Sequence, residues 1–176
     1  YLSRLMEIIR NIDGDIVECG VGRGESLLYL LALCGDSQRH RQVWGFDSFQ
    51  GFPKPTPEDD SPRQTQEEDV WGSFAGYDPV KIFVDALALY GLDPNIIQSN
   101  LTVVKGWFDQ SLDTFPKDGR IALLHLDCDL YASYKTCLEK LYDKVAVGGI
   151  IAVDEYRGSL ESVMFPGASI AIDEFM

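Results

Sequence analysis

Short apolar runs alternate along this chain with stretches whose apolar residues recur every three to four positions. The runs are Asp15–Glu18, leading into Cys19-Gly20; Val43–Phe46, ending at Asp47; Leu101–Val104, ending at Lys105-Gly106; Ile121–Leu126, ending at Asp127; and Ile150–Val153, ending at Asp154. Runs this short, bounded by glycine or carboxylate, predict β-strands, and their near-continuous apolar character predicts burial on both faces. Val145-Ala146-Val147 is separated from the fifth run by Gly148-Gly149, a pair that reads as a turn. Helical spacing fills two of the intervals: Ser26–Cys34 after the first run, and Tyr134, Cys137, Leu138 and Leu141 between the fourth and fifth.

Strands alternating with helices predict parallel βαβ units with right-handed crossovers. The expected fold is therefore α/β, a Rossmann-like doubly wound parallel sheet; the family resemblance given below implies the order 3-2-1-4-5, with later strands missing from this chain. Such sheets bind ligands beyond the carboxyl ends of their strands. Four of the five runs end in or beside a carboxylate there: Glu18, Asp47, Asp127 and Asp154. The segment Gln50–Pro79 differs in kind, with Pro53, Pro55, Pro57 and Pro62 followed by Glu67, Glu68, Asp69 and Trp71. Connections beyond about 15 residues are usually lids or linkers. Trp71, Phe74 and Tyr77 favour a lid-like insertion over 50–79, backed by a short helix over Pro79–Tyr90. No internal repeat is visible, so residues 1–176 read as one domain, and both ends read as cuts through a longer protein.

Charge narrows the partners. The net charge is −13, with a pI near 4.4, whereas a nucleic-acid binder needs a basic stripe. The expected partner is a small molecule rather than nucleic acid, with a homo-oligomer left open. No apolar run approaches the roughly 20 residues that span a bilayer. Cys19, Cys34, Cys128 and Cys137 show no C-x-x-C spacing and read as buried hydrophobes of a reducing compartment, which predicts a cytoplasmic protein.

The most informative motif is Val17-Glu18-Cys19-Gly20-Val21-Gly22-Arg23-Gly24-Glu25-Ser26, a strand-ending acid followed by G-x-G-x-G and a helix. Glycines there allow tight turns and let a ligand approach the main chain. A dinucleotide site has G-x-G-x-x-G with pyrophosphate on the helix N-terminus. Here the third glycine comes one residue early and Glu18 stands just ahead, which suits the ammonium of a methionine moiety and opposes a pyrophosphate. Asp47, at the tip of the second strand, is placed to accept ribose hydroxyls. Asp127, Asp154 and Glu155 would meet at adjacent strand ends, where clustered carboxylates repel unless a cation neutralises them. Magnesium is the economical choice, because it takes oxygen ligands and leaves positions open for a substrate oxygen.

These stretches resemble the macrocin O-methyltransferase-like family of class I methyltransferases. The resemblance is carried by Gly14–Gly24, Gly45–Pro53, Val104–Phe108, Leu126–Tyr131, Gly148–Tyr156 and Gly167–Phe175, in the family's order. It implies an enzyme that binds S-adenosylmethionine (SAM) through Glu18, Gly20, Gly22, Gly24, Ser26, Asp47, Ser48, Trp107 and Asp127. It also implies Mg2+ on Asp127, Asp154 and Glu155, as in catechol-type enzymes. Glu155 stands where the family has Asp or Asn, and Leu130 stands where catechol-type enzymes carry a catalytic lysine. The general base is thus open among His125, Asp129 and Tyr131, with Asp127 completing the catalytic set. The expected activity is SAM-dependent O-methylation of a hydroxyl on a small molecule of sugar or natural-product type. A non-catalytic SAM-binding module and an NAD-dependent oxidoreductase are the alternatives.

Overall fold

A computed structural model describes residues 1–35, 40–62, 81–82, 85, 95, 99–158 and 160–176. Five parallel strands form one sheet: β1 (Asp15–Cys19), β2 (Val43–Asp47), β3 (Leu101–Lys105), β4 (Ile121–Leu126) and β5 (Val145–Val153). Their order is β3-β2-β1-β4-β5, the order expected from the family resemblance. The described helices are α1 (Leu2–Ile8), α2 (Glu25–Gly35), α3 (Phe108–Ser111), α4 (Tyr131–Leu141), α5 (Leu160–Met164) and α6 (Pro166–Phe175). Among the described residues, no helix is long and apolar enough to cross a membrane.

Alternate residues of each strand supply the two faces of the sheet. Val17, Leu124 and Leu126 pack with Tyr134, Cys137, Leu138 and Leu141 of α4 and with Ala168 and Ala171 of α6. Ile16, Leu123 and Val43 pack with Leu27, Leu30 and Leu31 of α2. Every residue of central β4 is buried. The sequence expectation of a turn at Gly148-Gly149 needs correction, because β5 runs through it. Ile121 lies opposite Val145 and Leu123 opposite Ile150, so the glycines take up three extra residues as an irregularity within one strand. A side chain at Gly149 would press on the Ala146 and Ala122 carbonyls, which is why this position is bare.

Within the described part of 50–79, Pro57–Asp59 form a 3-10 turn with Asp59 buried, set against α4 and α6. Trp71, Phe74 and Tyr77 lie outside the described residues. So does most of the helix expected over Pro79–Tyr90, of which Lys81, Ile82 and Asp85 are helical.

The sheet ladder continues one residue past the ends of β1, β4 and β5. The amide of Gly20 donates to the Phe46 carbonyl at 2.9 Å, that of Asp127 to Cys19 at 3.0 Å and that of Asp154 to Leu126 at 3.1 Å. These bonds align glycine and carboxylates along one edge before any ligand is considered. Gly20 has φ 88°, and a methyl there would overlap the Asp127 carbonyl; Gly22 has φ 50° and open space around it. Gly22→Ala should therefore cost roughly the 1–2 kcal/mol of a left-handed non-glycine residue. Gly20→Ala should cost several kcal/mol or prevent folding, and urea unfolding of the two variants separates the cases.

Candidate active site

A cavity of about 710 Å³ opens on this edge. Its floor is the glycine turn, closed by Gly24 N–H donating to the Val21 carbonyl at 2.7 Å, with Arg23, Glu25 and Ser26 beside it. Asp47 locks that turn from β2: Oδ2 accepts the amides of Val21 at 2.9 Å and Gly22 at 3.0 Å, and Oδ1 accepts that of Phe49 at 2.7 Å. Asp47 therefore shapes the loop as well as lining the cavity. Ser48 is similarly committed, donating to the Gly51 carbonyl at 2.8 Å and accepting from Gln50 N–H at 3.0 Å. Phe49, Phe52, Trp107, Phe108 and Phe165 supply aromatic walls.

The far wall is the loop after β4, where Asp127, Cys128 and Asp129 line the cavity. Leu130 N–H donates to the Cys128 carbonyl at 2.6 Å, and Asp129 between them has φ 62°. This is the rarer, positive-φ form of the γ-turn, which is strained for a residue other than glycine. Burial pushes the Cys128 thiol up to about 12, so it stays protonated and is no nucleophile.

Glu18 and His125 sit beneath the cavity rather than on its lining. They are opposite each other on β1 and β4, both buried, with His125 Nδ1 2.8 Å from Glu18 Oε1. Burial raises the Glu18 carboxyl, and the bond and charge of His125, with the nearby Ser26 hydroxyl, offset this in part. Burial pulls the His125 ring down, but the Glu18 bond and charge, then Asp127 and Asp154, outweigh it and hold the ring above its ordinary value. Despite Ser26, Glu18 Oε2 is buried with no hydrogen bond of normal geometry.

Asp127, Asp154 and Glu155 come together as their spacing predicts, each offering an oxygen within 4.8 Å of the others. Burial and the Asp127 charge raise Asp154, against His125. Glu155 is buried, accepts the Tyr134 hydroxyl at Oε2 and rises to about 10, through burial first and the charges of Asp129 and Asp127 second. The single Tyr134 proton is shared between Glu155 Oε2 and the Leu126 carbonyl, which lies at 2.8 Å, so a helix residue props both strand ends. Of the other expected residues, Gly20, Gly22, Ser26 and Trp107 line the cavity, and Gly24 does not. Tyr131 turns away: its hydroxyl donates to Glu174 at 2.6 Å. Sequence reasoning missed Tyr134, Asp59, Arg23 and the phenylalanine walls. Only Asp59 left a local signal, the capping pattern Thr56-Pro57-Glu58-Asp59.

A family model described as Macrocin-O-methyltransferase (TylF) matches residues 2–175. The chain is 32% identical to demethyldecarbamoylnovobiocin O-methyltransferase of Streptomyces niveus, over 94% of this chain and 59% of that protein. It is 30% identical to mycinamicin III 3''-O-methyltransferase of Micromonospora griseorubida, over 82% of this chain and 56% of that protein. The chain thus spans somewhat more than half the length of these relatives. Among solved structures, it superimposes on the O-methyltransferase NovP with a TM-score of 0.73 at 29% identity, covering 99% of this chain and 71% of that one. On CalS11, a calicheamicin methyltransferase, the TM-score is 0.80 at 26% identity, covering 98% and 68%.

The Glu155 environment sets a pH dependence. The group is raised from 4.5 to about 10, so across that window the native state holds a proton that the unfolded state has lost. Stability of the metal-free protein should then fall as pH rises. Glu155→Gln removes this cost and keeps an acceptor for Tyr134. Its melting temperature should exceed that of the parent by a margin that widens from pH 5 to pH 8; a constant or shrinking margin would contradict the assignment.

Proposed function

The chain belongs to the macrocin O-methyltransferase family, and on that premise we propose that it is a SAM-dependent, Mg2+-assisted O-methyltransferase acting on a hydroxyl of a sugar or natural product. The observation that carries this reading is one cavity where a glycine turn, aromatic walls and a three-carboxylate cluster share Asp127. The residues fit the cofactor. Glu18, buried and two residues ahead of Gly20, has an oxygen with no hydrogen bond of normal geometry, and its carboxylate favours the ammonium of the methionine moiety. Bare main chain at Gly20 and Gly22 admits close approach, and Trp107 and the phenylalanines suit an adenine ring. The all-oxygen donor set of Asp127, Asp154 and Glu155 suits a hard cation.

When bound, SAM supplies the methyl group and the cation supplies a Lewis acid for the acceptor oxygen. The protein's part is positioning and proton handling. Asp129 is the best placed of the candidate bases, because it lines the cavity on a strained turn. His125 is tied to Glu18 below the floor, where it holds that carboxylate in place, and Tyr131 is bonded to Glu174 outside. The relatives named for methylating novobiocin-type and mycinamicin-type hydroxyls support an acceptor of that class. The net charge of −13 and four free buried cysteines support a small-molecule partner and a cytoplasmic setting.

The test uses full-length protein, methyl-labelled SAM and two acceptors, demethyldecarbamoylnovobiocin and mycinamicin III. Asp129→Asn should lower turnover by about 10²–10⁴-fold, the usual worth of a general base, with little change in SAM affinity. EDTA and Asp127→Ala should each abolish transfer; undiminished turnover in both would remove the cation. Calorimetry showing affinity for NAD but none for S-adenosylhomocysteine would overturn the whole reading.

A further inference from the structure

Helix α4 begins immediately after the loop that carries Asp127 and Asp129, and its N-cap residue is Leu130, which has no side chain able to accept a hydrogen bond. A helix start leaves several amides without partners and carries partial positive charge. The missing acceptor comes from elsewhere: Asp59 Oδ1 accepts the Tyr131 amide at 2.8 Å from 72 residues upstream. Its other oxygen, Oδ2, accepts Thr56 N–H at 2.8 Å and the Thr56 hydroxyl at 3.1 Å, so the carboxylate is buried with both oxygens engaged. Gly167 of α6 leaves room for this arrangement. A methyl there would overlap Asp59 Oδ1 and approach the Tyr131 amide nitrogen to 2.9 Å.

We infer that Asp59 is a positioning residue for the Asp127–Leu130 loop, capping α4 across the chain and tying the β2 loop to the opposite wall of the cavity. The geometry supports both halves. Gly51, Phe52 and Pro53, between β2 and Asp59, line one side of the cavity, while Asp127, Cys128 and Asp129 line the other. The strained Asp129 turn, with φ 62°, persists only if its surroundings hold it. Two residues later, Asp59 fixes the backbone at Tyr131. The Phe52 ring packs edge-on against Phe165 beside α6, with ring centres 6.3 Å apart, giving the strap a second attachment. The inference rests on the SAM reading only for its ligand-binding consequence.

The test measures S-adenosylhomocysteine affinity by calorimetry and backbone hydrogen exchange of residues 127–133 in the full-length protein. Asp59→Ala should weaken binding about ten-fold, the scale of a lost charge-assisted hydrogen bond, and speed exchange in that loop. Gly167→Ala should reproduce both effects from the other side of the contact. Asp59→Asn, which keeps one acceptor for Tyr131, should fall between parent and alanine variant. Leu31→Ala, in the core on the opposite face of the sheet, should lower the melting temperature and change neither readout. Parent-like affinity and exchange in folded Asp59→Ala would overturn the inference, and where that variant does not fold, Gly167→Ala and Asp59→Asn decide by the same criterion. A parent that fails to bind the ligand would sink the SAM reading, while the exchange data would still decide on Asp59.

Discussion

Negative charge gathered at one end of a parallel sheet is the constraint to which the rest of the structure answers. The continued ladder places Asp127 and Asp154 on neighbouring strand ends, with Glu155 next in sequence. Burial first, and the neighbouring Asp127 charge after it, raise the carboxyls of Asp154 and Glu155, with Asp129 adding to the effect on Glu155. Compensation is built in by different means at each position. Asp47 accepts three backbone amides, Asp59 accepts two amides and a hydroxyl, one oxygen of Glu18 is bonded to His125, and one oxygen of Glu155 to the Tyr134 hydroxyl. In the proposed reaction, the ammonium of the methyl donor and a cation complete this compensation at Glu18 and at the cluster of Asp127, Asp154 and Glu155.

The same economy explains where the backbone is strained. Among the described residues, Asp129 and Phe49 are the non-glycine residues with positive φ, and both line the cavity. Each is bounded by a carboxylate that fixes backbone amides: Asp47 holds Phe49 directly, and Asp59 holds Tyr131 beyond Asp129. The strained backbone is thereby held by carboxylates beside it, Asp47 from the same loop and Asp59 from a segment far away in sequence. Tyr134 does comparable work from the helix side, joining the last carbonyl of β4 to the acidic cluster.

Most of the frame was legible in the sequence, because buried parallel strands are short apolar runs and their ends are marked by Gly20, Asp47, Asp127 and Asp154. The metal-type cluster followed from that frame, since strand order alone brings Asp127 and Asp154 together. The depth of a side chain was not legible. Glu18 and His125 lie below the floor because they pair across β1 and β4, and no local pattern shows that pairing. Gly148-Gly149 has the same local chemistry in a turn as in a bulge, so its role was decided by the register against β4. Asp59 announced its bond to Thr56 through a local motif, but its bond to Tyr131 depends on tertiary packing.

The central claim, that this acidic edge is a cation site built beside a SAM pocket, is met most directly by diffraction from full-length crystals soaked with Mn2+ and S-adenosylhomocysteine. Anomalous scattering should give one manganese peak within bonding distance of carboxylate oxygens of Asp127, Asp154 and Glu155, adjacent to density for the nucleoside over the glycine turn. Cofactor density with no manganese among these three residues, at a Mn2+ concentration that saturates other sites, would contradict it.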